Sequence, residues 1–177
     1  MIGVFSLQSQ NRVRSNSGSG ASTSMAGSSY GASTRHAISF ASVEIKCSGN
    51  HFVWVGFVPY GDGSVTSGQA GQIRIRSGIA DAYSAFDTPQ RLYFKRGSTD
   101  LGYHDLRTRA TQPASAGYSS PVDFRYPAST IYFLDRPAAG TYTYTVEWYH
   151  AESTAPNADY NLLEFNYCYF EAVEWAF

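Results

Sequence analysis

The chain has little charge. Asp, Glu, Lys and Arg together make up 15% of its 177 residues and cancel to a formal net charge of −1. A dedicated nucleic-acid binder carries a basic excess with which it displaces counterions, so no nucleic-acid partner is expected. Cysteine is scarcer still, with Cys47 and Cys168 standing at opposite ends of the strand-rich region and forming no Cys-x-x-Cys pair. They read as two small buried hydrophobes, with a disulfide between first and last strands as the other option. No window approaches the ~18 apolar residues of a membrane helix, and the first residues lack a cationic segment followed by a long apolar core. The expectation is a soluble protein with no membrane partner.

Helical periodicity is missing too: no window spaces its apolar residues at three and four strongly enough to outcompete the alternation of strands. Aromatics, by contrast, reach 16%, with 14 Tyr and 11 Phe, a composition that favours β structure. A single core in a chain of this length buries about two thirds of the unfolded surface, so no metal, cofactor or disulfide staple is required.

The stretch from Tyr126 to His150 organises the reading. Thr130 to Leu134 is apolar at both parities and predicts a strand buried on both faces. Asp135 to Gly140 breaks it, because Pro137 has no N–H for a ladder and Asp and Gly favour turns. From Thr141 the chain alternates, with Tyr142, Tyr144, Val146 and Trp148 pointing one way and Thr141, Thr143, Thr145 and Glu147 the other.

Other strands follow the same logic. Val43, Ile45 and Cys47 alternate with polar neighbours, and His51 to Val58 is the most apolar window, a candidate central strand with Trp54 in the core. Ile73 and Ile75, Arg91 to Arg96, and Leu101 to Thr111 give further strands, with Pro59 to Gly71 and Gln112 to Ser120 as loops. Near the end Leu163, Phe165, Tyr167, Tyr169, Val173 and Trp175 share one parity and predict a single strand. About eight to ten short strands result, an all-β antiparallel jelly-roll or sandwich pattern spanning 35–177.

Residues 1–34 differ. Ser15 to Thr34 is almost wholly Ser, Gly, Ala and Thr with no charged residue, a composition that cannot fold alone. It reads as a flexible linker or as an arm that orders on a neighbouring subunit, with Ile2, Val4, Phe5 and Leu7 as its apolar anchor.

Taken in order, these landmarks resemble the small jelly-roll domains, related in fold to the complement and tumour-necrosis-factor modules, of tailed-bacteriophage virion proteins. The Ser48-Gly49 turn leads into the apolar strand Phe52 to Val58; Leu92 to Thr99 ends on Arg-Gly-Ser-Thr and closes on Leu101-Gly102. The Leu134-Asp135-x-Pro137 corner precedes a Tyr-rich strand, and Phe170-Glu171-Ala172-Val173-Glu174 closes the chain. The resemblance covers about Arg35 to Phe177 and implies a virion location and a homotrimer. Aromatic surplus should line the threefold axis, with Tyr167 and Tyr169 the interface candidates.

Catalytic constellations are weak. His104 and Asp105 are adjacent, so a strand turns them to opposite faces and they read as a solvated surface pair. Asp135 reads as a turn cap; Glu147, His150 and Glu152 have mixed parity and no third His, and Gly61-Asp62-Gly63 lacks the spacing or Lys of a phosphate loop. No enzyme is expected. Two functions remain: a trimeric decoration or cement protein held on a capsid exterior, through the major capsid protein or another virion protein, and a tail-fibre tip whose aromatic loops bind host glycan. The lack of a shaft favours the first.

Overall fold

The computed structural model describes residues 8–15, 23–26, 34–49, 51–59, 71–77, 86–88, 90–106, 108–110, 122–150 and 162–176. These form an all-β chain whose strand pairings are all antiparallel. In chain order the strands are β1 (Gln8–Arg14), β2 (Thr23–Ala26), β3 (Arg35–Cys47), β4 (Phe52–Pro59), β5 (Gln72–Ser77), β6 (Phe86–Thr88) and β7 (Gln90–Arg96). They continue as β8 (Thr99–Asp105), β9 (Thr108–Ala110), β10 (Val122–Pro127), β11 (Tyr132–Asp135), β12 (Gly140–His150), β13 (Leu162–Asn166) and β14 (Cys168–Ala176), with one 3-10 turn at Ala128–Thr130.

Two four-stranded sheets, β1-β14-β4-β11 and β2-β13-β5-β10, follow one another end to end and together make one long layer, called the long sheet below. Cys168 of β14 faces Pro59 of β4, while Asn166 of β13 faces Gln72 of β5, so β4 and β5 lie end to end along one line. The same holds for β10 and β11, whose Pro127 and Tyr132 flank the 3-10 turn, and for β1 and β2 along β14 and β13. Each line breaks at the same level. Pro59 cannot extend a ladder by donating, and Tyr167 sits at φ 51, a left-handed conformation that ends β13 and restarts the chain as β14. Backbone bonds stitch the seam: Gly71 N–H donates to Asn166 O and Ala128 N–H to Gly71 O, both at 2.8 Å.

The second sheet has the order β3-β12-β7-β8, and β6 pairs with β9 as a small ribbon. With the broken lines joined, fourteen strand segments reduce to eight long ones plus that ribbon. Their pairing is nested. The first line (β1, β2) pairs with the last (β13, β14), the second (β3) with the seventh (β12), the third (β4, β5) with the sixth (β10, β11) and the fourth (β7) with the fifth (β8).

The inner faces of the two sheets interdigitate through rings. Phe57 of β4 meets Phe165, Phe170, Phe40 and Phe94 at centroid distances of 4.8, 5.3, 6.0 and 6.4 Å, and Phe94 stacks on Phe133 of β11 at 6.2 Å. Val53, Val55, Ile45, Leu92, Tyr144, Val146 and Trp148 complete this core. The alternation expected after Thr141 is present, with Tyr144, Val146 and Trp148 buried and Tyr142 packed against them. Trp148 satisfies its buried indole N–H on Gln90 Oε1 at 3.1 Å.

Several expectations are corrected. Thr130 belongs to the 3-10 turn, and the strand beyond it lies at a sheet edge, so Tyr132 and Leu134 are exposed rather than buried. Trp54 points outward and is half-buried, because Val53, Val55 and Phe57 take the inner parity of a window apolar at both. The C-terminal run is two strands in two half-sheets, since the Tyr167 turn shifts parity: Leu163 and Phe165 point inward, then Phe170, Ala172 and Glu174 do. The strand from Leu101 stops at Asp105, where Leu106 is buried and donates to Gln90 O. Cys47 and Cys168 are free thiols, both buried.

Within the span 1–34, Gln8–Arg14 and Thr23–Ala26 are strands of the long sheet. Ile2, Val4, Phe5 and Leu7 lie outside the described residues, as do Gly61, Asp62, Gly63 and Glu152.

Candidate functional site

The outward-facing sides of the long sheet and of the second sheet have different chemistry. On the long sheet, the register puts Tyr132 and Leu134 of β11, Phe52, Trp54, Gly56 and Val58 of β4, and Tyr169, Glu171, Val173 and Trp175 of β14 on one side. A sheet face turned to water ordinarily alternates polar side chains there. Here Leu134 is 53% exposed, Tyr132 41% and Phe52 37%, and half-buried Trp54 and Trp175 lie between or beside them.

Gly56 makes the patch flat. A Cβ at this position would meet Tyr132 Cβ at 2.6 Å, Ile131 O at 2.8 Å and Trp54 Cη2 at 2.9 Å. Its absence lets the Trp54 and Tyr132 rings close over the backbone, stacked at 5.9 Å with planes 24° apart. The charges on this side are few and paired or packed on rings. Arg136 covers Phe52, and on β1 Arg12 and Arg14 both hold the buried Glu171 carboxylate, Arg12 at 2.9 Å. Arg14 also lies over the Tyr169 ring at 5.4 Å.

Tyr169 is therefore on the apolar face, half-buried under Arg14, whereas Tyr167 is the left-handed residue of the seam. The more exposed rings come from β4 and β11, and Phe52, Tyr132 and Leu134 were not singled out from the sequence. Their strands are apolar at both parities, so periodicity carried no sign of which side faces outward.

The second sheet's outer face is polar and ring-rich. Arg91, Tyr93 and Lys95 of β7 lie opposite Asp105, Tyr103 and Asp100 of β8, and Tyr149 and Glu147 of β12 lie opposite Arg91 and Tyr93. Arg35 packs on the Tyr93 ring at 3.6 Å while Nη1 donates to both Asp100 oxygens at 2.9 and 2.8 Å. Lys95 Nζ donates to Glu147 at 3.0 Å.

The residues weighed for catalysis are spread apart. His104 faces inward beside Phe94, and its Nε2 donates to Tyr132 O at 2.6 Å, clipping β8 to β11. Asp105 is exposed on the opposite face, 3.9 Å from Arg91, so the two side chains point apart as the strand alternation requires. Asp135 accepts from Arg96 Nη1 and Tyr144 Oη, both at 2.7 Å, and from Arg136 N–H at 2.8 Å. Burial first, and then this bond to Asp135, push the Tyr144 phenol well above its ordinary value.

His150 is buried on Trp148 at 4.7 Å, while Glu147 faces outward. Among the described residues no group of three or more His, Cys, Asp or Glu is placed to hold a metal ion. Burial pushes the Cys47 thiol up to about 11, with the Glu174 and Asp135 charges adding to it, and the Cys168 thiol up to about 12. Neither ionises appreciably at neutral pH, so neither has the thiolate a nucleophile needs.

No protein-family model and no curated protein matches this chain.

Proposed function

We propose that this chain is a structural protein of a bacteriophage virion: a jelly-roll domain that assembles as a homotrimer and decorates the capsid exterior, held by the major capsid protein or another virion protein. Nested pairing of eight lines, first with last through to fourth with fifth, supports the jelly-roll reading. Virion location rests on the sequence resemblance. The observation that carries self-assembly is the long sheet's outer face, where Leu134, Tyr132, Phe52 and Trp54 present contiguous apolar surface. Such a face is stabilised when a second copy covers it, each square ångström of apolar area removed from water contributing about 25 cal/mol. Tyr169 joins this interface under Arg14, and Tyr167 supports it indirectly by setting where β14 begins.

Addition of the purified, labelled protein to heads that lack it tests the role. Co-sedimentation, with label on the head exterior in negative stain, is expected. Label at the tail, or protein left in the supernatant, would contradict the reading. A truncation that removes only Met1 to Leu7 tests the apolar anchor without touching β1, whose Arg12 and Arg14 hold Glu171.

A further inference from the structure

We propose that the outer face of the second sheet binds a neutral oligosaccharide, with the Tyr103 ring as the stacking platform. This inference is independent of assembly, which uses the other face. Tyr103 stands on the edge strand β8 and is 51% exposed, the most open ring among the described residues. It does not stand alone. Tyr93 is 5.2 Å away across the β7–β8 ladder, Tyr149 is 6.2 Å beyond Tyr93, and the Arg91 guanidinium lies 4.9 Å from the Tyr103 ring and 5.9 Å from that of Tyr149.

Saccharide recognition needs two things at once: an aromatic face for the apolar C–H side of a pyranose, and hydrogen-bonding groups for its hydroxyls. The long sheet's outer face has the rings with few polar groups around them. The second sheet's face has both. Arg91, Asp105, Asp100, Lys95 and Glu147 flank the tyrosines, supplying donors and acceptors within one or two residues of the rings along each strand.

The charge balance decides the sugar's class. Arg35, Arg91 and Lys95 are matched by Asp100, Asp105 and Glu147, and the cations already engage those carboxylates at 2.8 Å (Arg35), 3.9 Å (Arg91) and 3.0 Å (Lys95). A sulfated, phosphorylated or carboxylated ligand would have to displace a carboxylate to gain a cation, and nothing on this face supplies a net positive field for it. A neutral glycan meets no such competition. The platform is also preorganised: Arg91 and Tyr93 pack on Tyr103, so little side-chain freedom remains to be lost on binding.

The test is a glycan array carrying neutral and anionic oligosaccharides, followed by calorimetric titration of the best neutral glycan. Wild-type protein is expected to bind at least one neutral glycan. Tyr103→Ala should weaken that binding about tenfold or more, a loss of roughly 1.4 kcal/mol. Tyr103→Phe, which keeps the ring, should stay within about threefold, and Arg125→Ala, on the other sheet, should not alter it. Absence of any neutral-glycan binding at millimolar concentration, binding only to anionic glycans, or undiminished binding by Tyr103→Ala would each overturn the proposal. Head binding by Tyr103→Ala, measured in parallel, separates this outcome from the assembly role.

Discussion

A carboxylate with no surface open to solvent persists in a fold only where donors meet it, and Glu174 meets several. Its Oε1 accepts from the Ser48 N–H at 2.8 Å and the Ser48 hydroxyl at 2.7 Å, and its Oε2 accepts from Asn11 Nδ2 at 3.0 Å. Burial alone raises this carboxyl; the Ser48 and Asn11 bonds, helped by His51, outweigh it and hold the group below its ordinary value. A depressed folded-state value means stability that is present above the unfolded carboxyl value, about 4.3, and lost as pH falls through the folded one. Urea midpoints followed from pH 6 down to 2 should therefore fall for wild type and fall less for Glu174→Gln. At pH 7 the Gln variant should be less stable by about 1.5–3 kcal/mol, the worth of hydrogen bonds to a charged group. An unchanged midpoint at pH 7 would show that the cluster holds nothing. The two thiols give a second check at this scale. Because burial raises both, a thiol reagent at pH 7.5 should modify neither Cys47 nor Cys168 in native protein and both in denaturant. The sequence marked both cysteines as buried hydrophobes, since cysteine buries often. It gave no sign of the Glu174 cluster, whose members lie 126 and 163 residues apart.

At the level of strands, close approach is what the sequence conceals. Alternation after Thr141 was legible because polar and apolar residues separate cleanly there, whereas His51 to Val58 is apolar on both sides and left Trp54 on the wrong face. The C-terminal run misled for a different reason. A single left-handed residue, Tyr167, inverts parity, and no Gly or Pro marks it. Two glycines carry the packing that results. A Cβ on Gly102 would lie 2.6 Å from Phe133 Cε2, so Gly102 is what allows the Phe133 ring of β11 to pass over β8 and reach Phe94. Gly56→Ala should destabilise by about 1–3 kcal/mol through overpacking, and Gly102→Ala by at least as much because its φ of 155 adds backbone strain, both read as a lower melting temperature. Gly97→Ala is a useful comparison. Nothing lies within 4 Å of its added Cβ, so its cost would come from its φ of 56 alone and should be smaller, on the order of 1 kcal/mol.

For the molecule as a whole, the inner and outer faces make separable predictions. Phe57 touches rings from both sheets, and its replacement by Ala should cost about 3–5 kcal/mol and lower stability without any specific effect on association. Leu134 is the reverse case. It is 53% exposed on the edge strand β11, so its substitution should leave the fold nearly unchanged while placing a charge on the apolar face beside Trp54. All-β character, the core strands and the polar exterior of β12 could be read from period and composition. The exposed apolar face could not, because it depends on which side of β4 and β11 faces outward, a choice set by partners distant in sequence. Light scattering on the full chain at micromolar concentration tests the claim directly, comparing wild type with Leu134→Asp. The account predicts a trimer for wild type and a monomer with a nearly unchanged melting temperature for the variant; a wild-type monomer, or a trimer that survives Leu134→Asp, would contradict it.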